Sequence, residues 1–123
     1  MNTVIKLDKP GKFKQAWQSI KKAELNGQVI WLALFKGEYY WHKHNQDELF
    51  YVVSGQILIQ MKNHSSVKLK QGQMFIVQKN IWHCPKSLTN SIVLMIEPKD
   101  IKTIKPTAGM DMASDKWKRL VWI

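Results

Sequence analysis

From Gln28 onward, short apolar runs alternate with polar turn residues, a pattern of strands rather than helices. Val29 to Phe35 is a continuous apolar run with the length of a strand. Gly37-Glu38 predicts a turn, and Tyr39 to His42 a further short strand. Asn45-Gln46-Asp47 is a polar turn before a strand from Glu48 to Val53. Ser54-Gly55 turns the chain into Gln56 to Lys62, where Ile57, Ile59 and Met61 share one face. Asn63 to Ser66, Gln71-Gly72 and Gln78-Lys79-Asn80 predict turns, with strands at Val67 to Leu69, Gln73 to Val77 and Ile81 to Cys84. Ser91 to Glu97, apolar on both faces, predicts a central strand. Upstream, Phe13, Trp17, Ile20 and Leu25 fit either one helical face or an irregular edge. Asn26-Gly27 is a hairpin turn signal. Strands at this density predict an all-β sandwich or barrel.

Composition narrows the class. The 123 residues fit one domain, and 45% hydrophobic with 23% charged residues excludes a chiefly disordered chain. No apolar run approaches the ~20 residues of a membrane-spanning helix, and no membrane association is expected. Met1 to Asp8 lacks the charged start and long apolar core of a secretory signal, so the cytoplasm is the expected location. One cysteine, Cys84, excludes an internal disulfide framework and a CxxC zinc site.

The net charge of +10 invites a nucleic-acid reading. However, Arg119 is the only arginine among 19 cations, and the lysines are scattered with no run longer than two. Lysines so distributed read as a solubilising surface rather than a specific nucleic-acid site. An anionic small-molecule substrate would benefit from the same field.

Three of the four histidines carry the chemistry. His42 and His44 are two apart on a predicted strand, so both imidazoles project from one face, together with Tyr40. Glu48 follows the next turn, where a hairpin sets it beside the pair. His83 also lies just past a turn. If the two hairpins face each other across a barrel, three nitrogens and one carboxylate converge. Imidazole suits Fe, Ni, Cu and Zn, and the carboxylate adds affinity for Mn and Fe. Four such ligands around an octahedral ion would leave two positions for water, substrate or dioxygen.

The stretch Gly37-Glu-Tyr-Tyr-Trp-His42-Lys-His44-Asn-Gln-Asp-Glu48-Leu-Phe-Tyr-Val-Val-Ser-Gly55 resembles the first cupin motif, with its first Gly one residue closer to the HxH pair than usual. Gly72-Gln-Met-Phe-Ile-Val-Gln78-Lys-Asn80-Ile-Trp-His83 resembles the second. There Gln78 replaces the usual Pro, Asn80 the usual Gly, and Ser87 stands where an Asn is usual. Asn tolerates a positive φ, so the turn at Asn80 can form. The resemblance covers residues 25–98 and is closest to small single-domain cupins similar to mannose-6-phosphate isomerase. It implies a single-domain cupin β-barrel (a double-stranded β-helix, or jelly roll) spanning residues 1–123. Residues 1–24 and 99–123 would then be extensions packing on the barrel or on a dimer partner. The resemblance further implies a homodimer and one divalent metal ion, with Fe, Mn, Zn and Ni not distinguished, held by His42, His44, Glu48 and His83.

Other residues have plainer readings. His64 sits in a polar turn and reads as solvated. Cys84 reads as a small buried hydrophobe. Trp41 and Trp82 flank ligand histidines and should point away from them, toward other chain segments or a second subunit. Tyr40 and Glu97 are candidates for an acid or base beside the metal; a barrel-wall aromatic is the plainer reading of Tyr40, and an answer to a lysine or a backbone amide is the favoured reading of Glu97. Two functions fit: a metalloenzyme of dioxygenase or sugar-isomerase type acting on a small polar molecule, and a non-catalytic module binding or sensing a small ligand or metal. Nucleic-acid association through the lysines is a third, with steeply salt-dependent DNA retention as its sign.

Overall fold

The computed structural model describes residues 4–7, 13–107 and 110. Its strands, in chain order, are β1 (Ser19–Leu25), β2 (Gln28–Glu38), β3 (Lys43–His44), β4 (Glu48–Ser54), β5 (Gln56–Met61), β6 (Val67–Lys70), β7 (Met74–Val77), β8 (His83–Pro98) and β9 (Thr103–Ile104). No described residue is helical. Every pairing is antiparallel. β1 and β2 are joined through Asn26-Gly27, at φ of 50° and 78°. Positive φ at both central residues is what a two-residue type I′ hairpin requires.

β8 is the spine of the fold. Its C-terminal half runs between β2 and β4, and its N-terminal half lies against β5. One strand thus passes from one wall of the molecule to the other, the arrangement of a jelly roll. The order is β1-β2-β8-β4-β7, with β6 on the outer side of β5. The passage occurs at a bulge: Phe35 pairs with Ser91 but Gly37 with Ser87, so residues 88–90 stand opposite Lys36 alone. The Ser87 and Ser91 hydroxyls lie 2.8 Å apart; Ser87 Oγ lies 2.6 Å from the Thr89 carbonyl, and Ser91 Oγ lies 3.0 Å from the Gln56 carbonyl. This buried hydroxyl pair satisfies the backbone where β8 bends away from its ladder. Gly55, at φ +89°, packs against it so closely that an added Cβ would lie 2.9 Å from Ser91 Cβ.

The core fills the space between the walls with Phe35, Phe50, Val52, Ile57, Ile59, Val77 and Val93, all buried. Alternate residues of each strand supply it, as the period-2 pattern requires. Trp41, Cys84 and Trp82 form a second, smaller cluster. Each is a sequence neighbour of His42 or His83 and packs with the others, away from the histidines.

Several expectations change. Gly37-Glu38 is not a turn: β2 continues through it, with Gly37 at φ 79° beside the register shift. Tyr39 to Trp41 belongs to no strand. Ile81 to Cys84 and Ser91 to Glu97 are parts of one continuous region, with β8 starting at His83. The helical face over Phe13 to Leu25 does not form. Ser19–Leu25 is an edge strand on β2, bulged between Lys21 and Ala23, because the hydrogen-bonding edge of β2 outweighs local helical spacing. The apolar tail at Trp117 to Ile123 lies outside the described residues.

Candidate metal centre

The backbone brings the candidate residues together before any side chain acts. His42 and His83 form an antiparallel bridge, each N–H donating to the other's carbonyl at 3.0 and 2.8 Å. His44 pairs with Thr103, which places β9 behind it. Glu48 opens β4 opposite Val77, after the Asn45 to Asp47 turn. His42, His44, Glu48 and His83 are all buried, with exposures of 5, 7, 6 and 1%. Four groups with exchangeable protons or charge are rarely buried together without a partner.

Each imidazole is held from behind through Nδ1. His42 Nδ1 lies 2.8 Å from the Tyr40 carbonyl and His83 Nδ1 2.8 Å from the Ile81 carbonyl. A carbonyl only accepts, so both Nδ1 atoms carry the hydrogen and both Nε2 atoms present lone pairs. His44 Nδ1 lies 3.1 Å from Thr103 Oγ1. Buttressing of this kind fixes tautomer and ring orientation in metal-binding histidines. His83 Nε2 is buried and has no hydrogen-bond partner. Glu48 Oε1 lies 3.2 Å from His44 Nε2 and 3.9 Å from His83 Nε2. One nitrogen from each of the three histidines lies within 4.8 Å of the others, a donor set that fits a divalent transition ion.

The electrostatics agree. Burial drives His42 down to about 4 and His83 down to about 3, each depressed further by neighbouring imidazoles. Burial also lowers His44, against the opposing pull of the Glu97 carboxylate. The imidazoles are therefore neutral, the form that ligates metal. Burial pushes Glu48 up to about 7. Glu97 rises to about 8, first through burial and then through its hydrogen bond and charge interaction with Glu48. Without a cation, the two carboxyls hold protons that a metal would displace.

Glu97 takes the less favoured of its two sequence readings, a place beside the metal. Among the described residues no lysine pairs with it; it shares the site, with a carboxyl oxygen within 4.8 Å of ligand atoms of Glu48 and His44. The signal was present in β8, where Val93, Met95 and Glu97 alternate onto one face and the last is charged. Tyr40 lines the same cavity but is 39% exposed, and its backbone carbonyl is what orients His42. His64 is exposed and apart from the site, and Cys84 is fully buried.

A family model described as a cupin domain matches residues 34–97. The chain belongs to the cupin family. Among curated relatives, the cupin is 33% identical to the uncharacterized protein YdbB of Bacillus subtilis over 92 residues, covering 74% of this chain and 81% of that one. It is 29% identical to bovine 3-hydroxyanthranilate 3,4-dioxygenase over 66 residues. That match covers 51% of the cupin and only 23% of the dioxygenase. Among solved structures, a cupin-2 domain containing protein from Shewanella frigidimarina superposes with a TM-score of 0.67 at 31% identity. The alignment covers 70% of this chain and 84% of the other.

The cavity of this cupin opens beside the histidines and measures about 230 Å³. Trp17, Trp31, Phe35, Tyr39, Tyr40 and Phe50 form most of its wall, and His42, His44, Glu48 and Glu97 its polar end. Trp17, at φ 67°, is held by a backbone bond to Leu34 and packs its ring 4.5 Å from Phe35 and 4.7 Å from Tyr39. The segment before β1 thus supplies a wall of the site. Among the described residues, no helix is long and apolar enough to cross a membrane.

Proposed function

We propose that this cupin holds one divalent transition-metal ion through His42, His44, Glu48 and His83 and acts as a metalloenzyme of the dioxygenase type on a small polar molecule. The observation that carries the reading is the fully buried His83 Nε2, a lone pair with no partner, facing the same space as the other two imidazoles and the Glu48 carboxyl. Fe, Mn, Zn and Ni all suit three imidazoles and a carboxylate. When bound, such an ion supplies Lewis-acid polarisation and, if it is iron, a place for dioxygen chemistry.

The chain's own residues do the rest. The carbonyls of Tyr40 and Ile81 hold the ring hydrogens of His42 and His83, so both Nε2 lone pairs stay directed inward. The aromatic walls exclude water and fix the plane of a bound molecule. Glu97 and the Tyr40 hydroxyl are groups outside the proposed ligand set that exchange protons with a bound molecule. A cavity walled by rings favours dioxygenase-type chemistry over sugar isomerisation, which needs polar groups along a polyol. The partial likeness to 3-hydroxyanthranilate 3,4-dioxygenase supports the same choice. We also propose a homodimer, on the exposed apolar Met74 and Ile76 of the edge strand β7; light scattering in solution tests it.

Metal analysis of protein purified without added metal tests the site. Wild type should carry close to one ion per chain and the His42→Ala/Glu48→Ala variant less than about a tenth of that, since each substitution removes a ligand. Equal metal contents would overturn the assignment. Oxygen consumption by the iron-loaded protein with catechol as probe then separates an enzyme from a module that only binds.

A further inference from the structure

The chain carries a net charge of +10, yet the cavity interior does not share it. Among the described residues its lining contains two carboxyls, Glu48 and Glu97, and no lysine or arginine. We propose that the cavity selects a neutral or cationic planar ring and rejects ring carboxylates and phosphate esters, with Glu97 as the specificity-determining residue. The proposal names the ligand class of the metal centre above and rests on that reading.

Size and shape come first. An apolar cavity of about 150 Å³ holds benzene, so about 230 Å³ admits one ring with small substituents. The Trp17 ring packs 4.5 Å from Phe35 and 4.7 Å from Tyr39, centre to centre, and joins the two into one aromatic wall. Charge decides what that ring carries. A bound divalent ion is balanced in charge by Glu48 and Glu97 together, and among the described residues no lysine or arginine stands in the lining to answer a further anion. Trp31 Nε1 is buried without a well-formed bond and stands beside Glu97, a donor suited to a carboxylate and not to a second anion.

An anionic substituent in this cavity would be buried against a carboxyl with no ammonium or guanidinium to pair with it, the least favourable way to bury charge. A ring hydroxyl, amide or amine instead donates to Glu97, and a cation gains from the ring faces. Lys105 stacks over Tyr40, 5.5 Å from the ring centre, but is exposed and not part of the lining. The surface field that would gather anions therefore stops short of the interior. An anionic substrate would then gain from the surface field only outside the cavity.

The test uses cobalt(II)-loaded protein and three probes that differ only in one ring substituent: 3,4-dihydroxybenzamide, 3,4-dihydroxybenzoate and 3,4-dihydroxybenzylamine. Trp17 and Trp31 line the cavity, so quenching of tryptophan fluorescence gives each Kd. The visible cobalt spectrum reports the metal site independently. Amide and amine should bind at least about tenfold tighter than the benzoate, a difference of ~1.4 kcal/mol. In Glu97→Gln the gap should close to about threefold with the cobalt spectrum unchanged. Equal or tighter binding of the benzoate by wild type, an unchanged gap in Glu97→Gln, or no binding of any probe to cobalt-loaded protein would overturn the proposal. Loss of the cobalt spectrum in wild type would instead overturn the metal centre on which the proposal rests. If Glu97→Gln fails to fold, the wild-type ranking of the three probes decides alone.

Discussion

Metal binding should release protons chiefly from carboxyls and almost none from His42 and His83. Histidines of ordinary pKa, 6.5, are each about three-quarters protonated at pH 6, so three ligand histidines would release about 2.3 protons on metal binding. Here His42 titrates at about 4 and His83 at about 3, so together they hold only about 0.01 proton at pH 6. His44 is also lowered and holds less than the ordinary three-quarters. Glu48, at about 7, holds about 0.9 proton, and Glu97, at about 8, is protonated as well. The perturbation is the double variant Glu48→Gln/Glu97→Gln, which keeps the three nitrogens and removes the carboxyl protons. Calorimetric zinc titrations at pH 6, in two buffers of different ionisation heat, count the protons released. Wild type should release at least about one proton, and the double variant less than about 0.8. A double variant that still releases two or more protons would refute the neutral-imidazole site.

Three further predictions follow from separate parts of the fold. In the metal-free protein, stability should fall as pH rises from 7 to 8. Glu48 and Glu97 titrate higher folded than unfolded, so the native state binds more protons across that window, while the opposing effect of the depressed histidines, whose unfolded pKa is about 6.5, is then mostly spent. Thermal melts with and without zinc check this, because a bound ion should flatten the slope. Gly55→Ala should cost about 2 to 4 kcal/mol in urea unfolding, from its φ of +89° and the contact of the new Cβ with Ser91. An unchanged midpoint would show that β8 gives way at its bend. Thr103→Val should weaken metal binding by about tenfold or more in a chelator competition, by releasing His44 Nδ1, with little loss of fold.

The strands from β4 through β7 could be read almost residue by residue. There the period-2 pattern is clean and each turn is marked by Gly or Asn, down to Asn80 at φ 66°. Reading was poorest where long-range pairing decides. Gly37 looks like a turn and is a bulge, because Phe35 and Gly37 must follow a β8 that has itself left register. The span before Leu25 has helical spacing, but β2 offers it an open edge. Convergence of the histidines with Glu48 was legible because i, i+2 spacing and turn positions constrain side-chain direction locally. Thr103 was not, and Glu97 only as the less favoured alternative, since their place beside His44 depends on the registers of β8 and β9.

The central claim is that three imidazole nitrogens and one carboxylate meet at a common ion, and X-ray absorption at the zinc edge of loaded protein tests it most directly. Three nitrogen scatterers of imidazole type and carboxylate oxygen, all at ~2.0–2.2 Å, are expected, with one imidazole lost in His83→Ala. A spectrum with one imidazole or none in wild type, or one that His83→Ala leaves unchanged, would contradict the account.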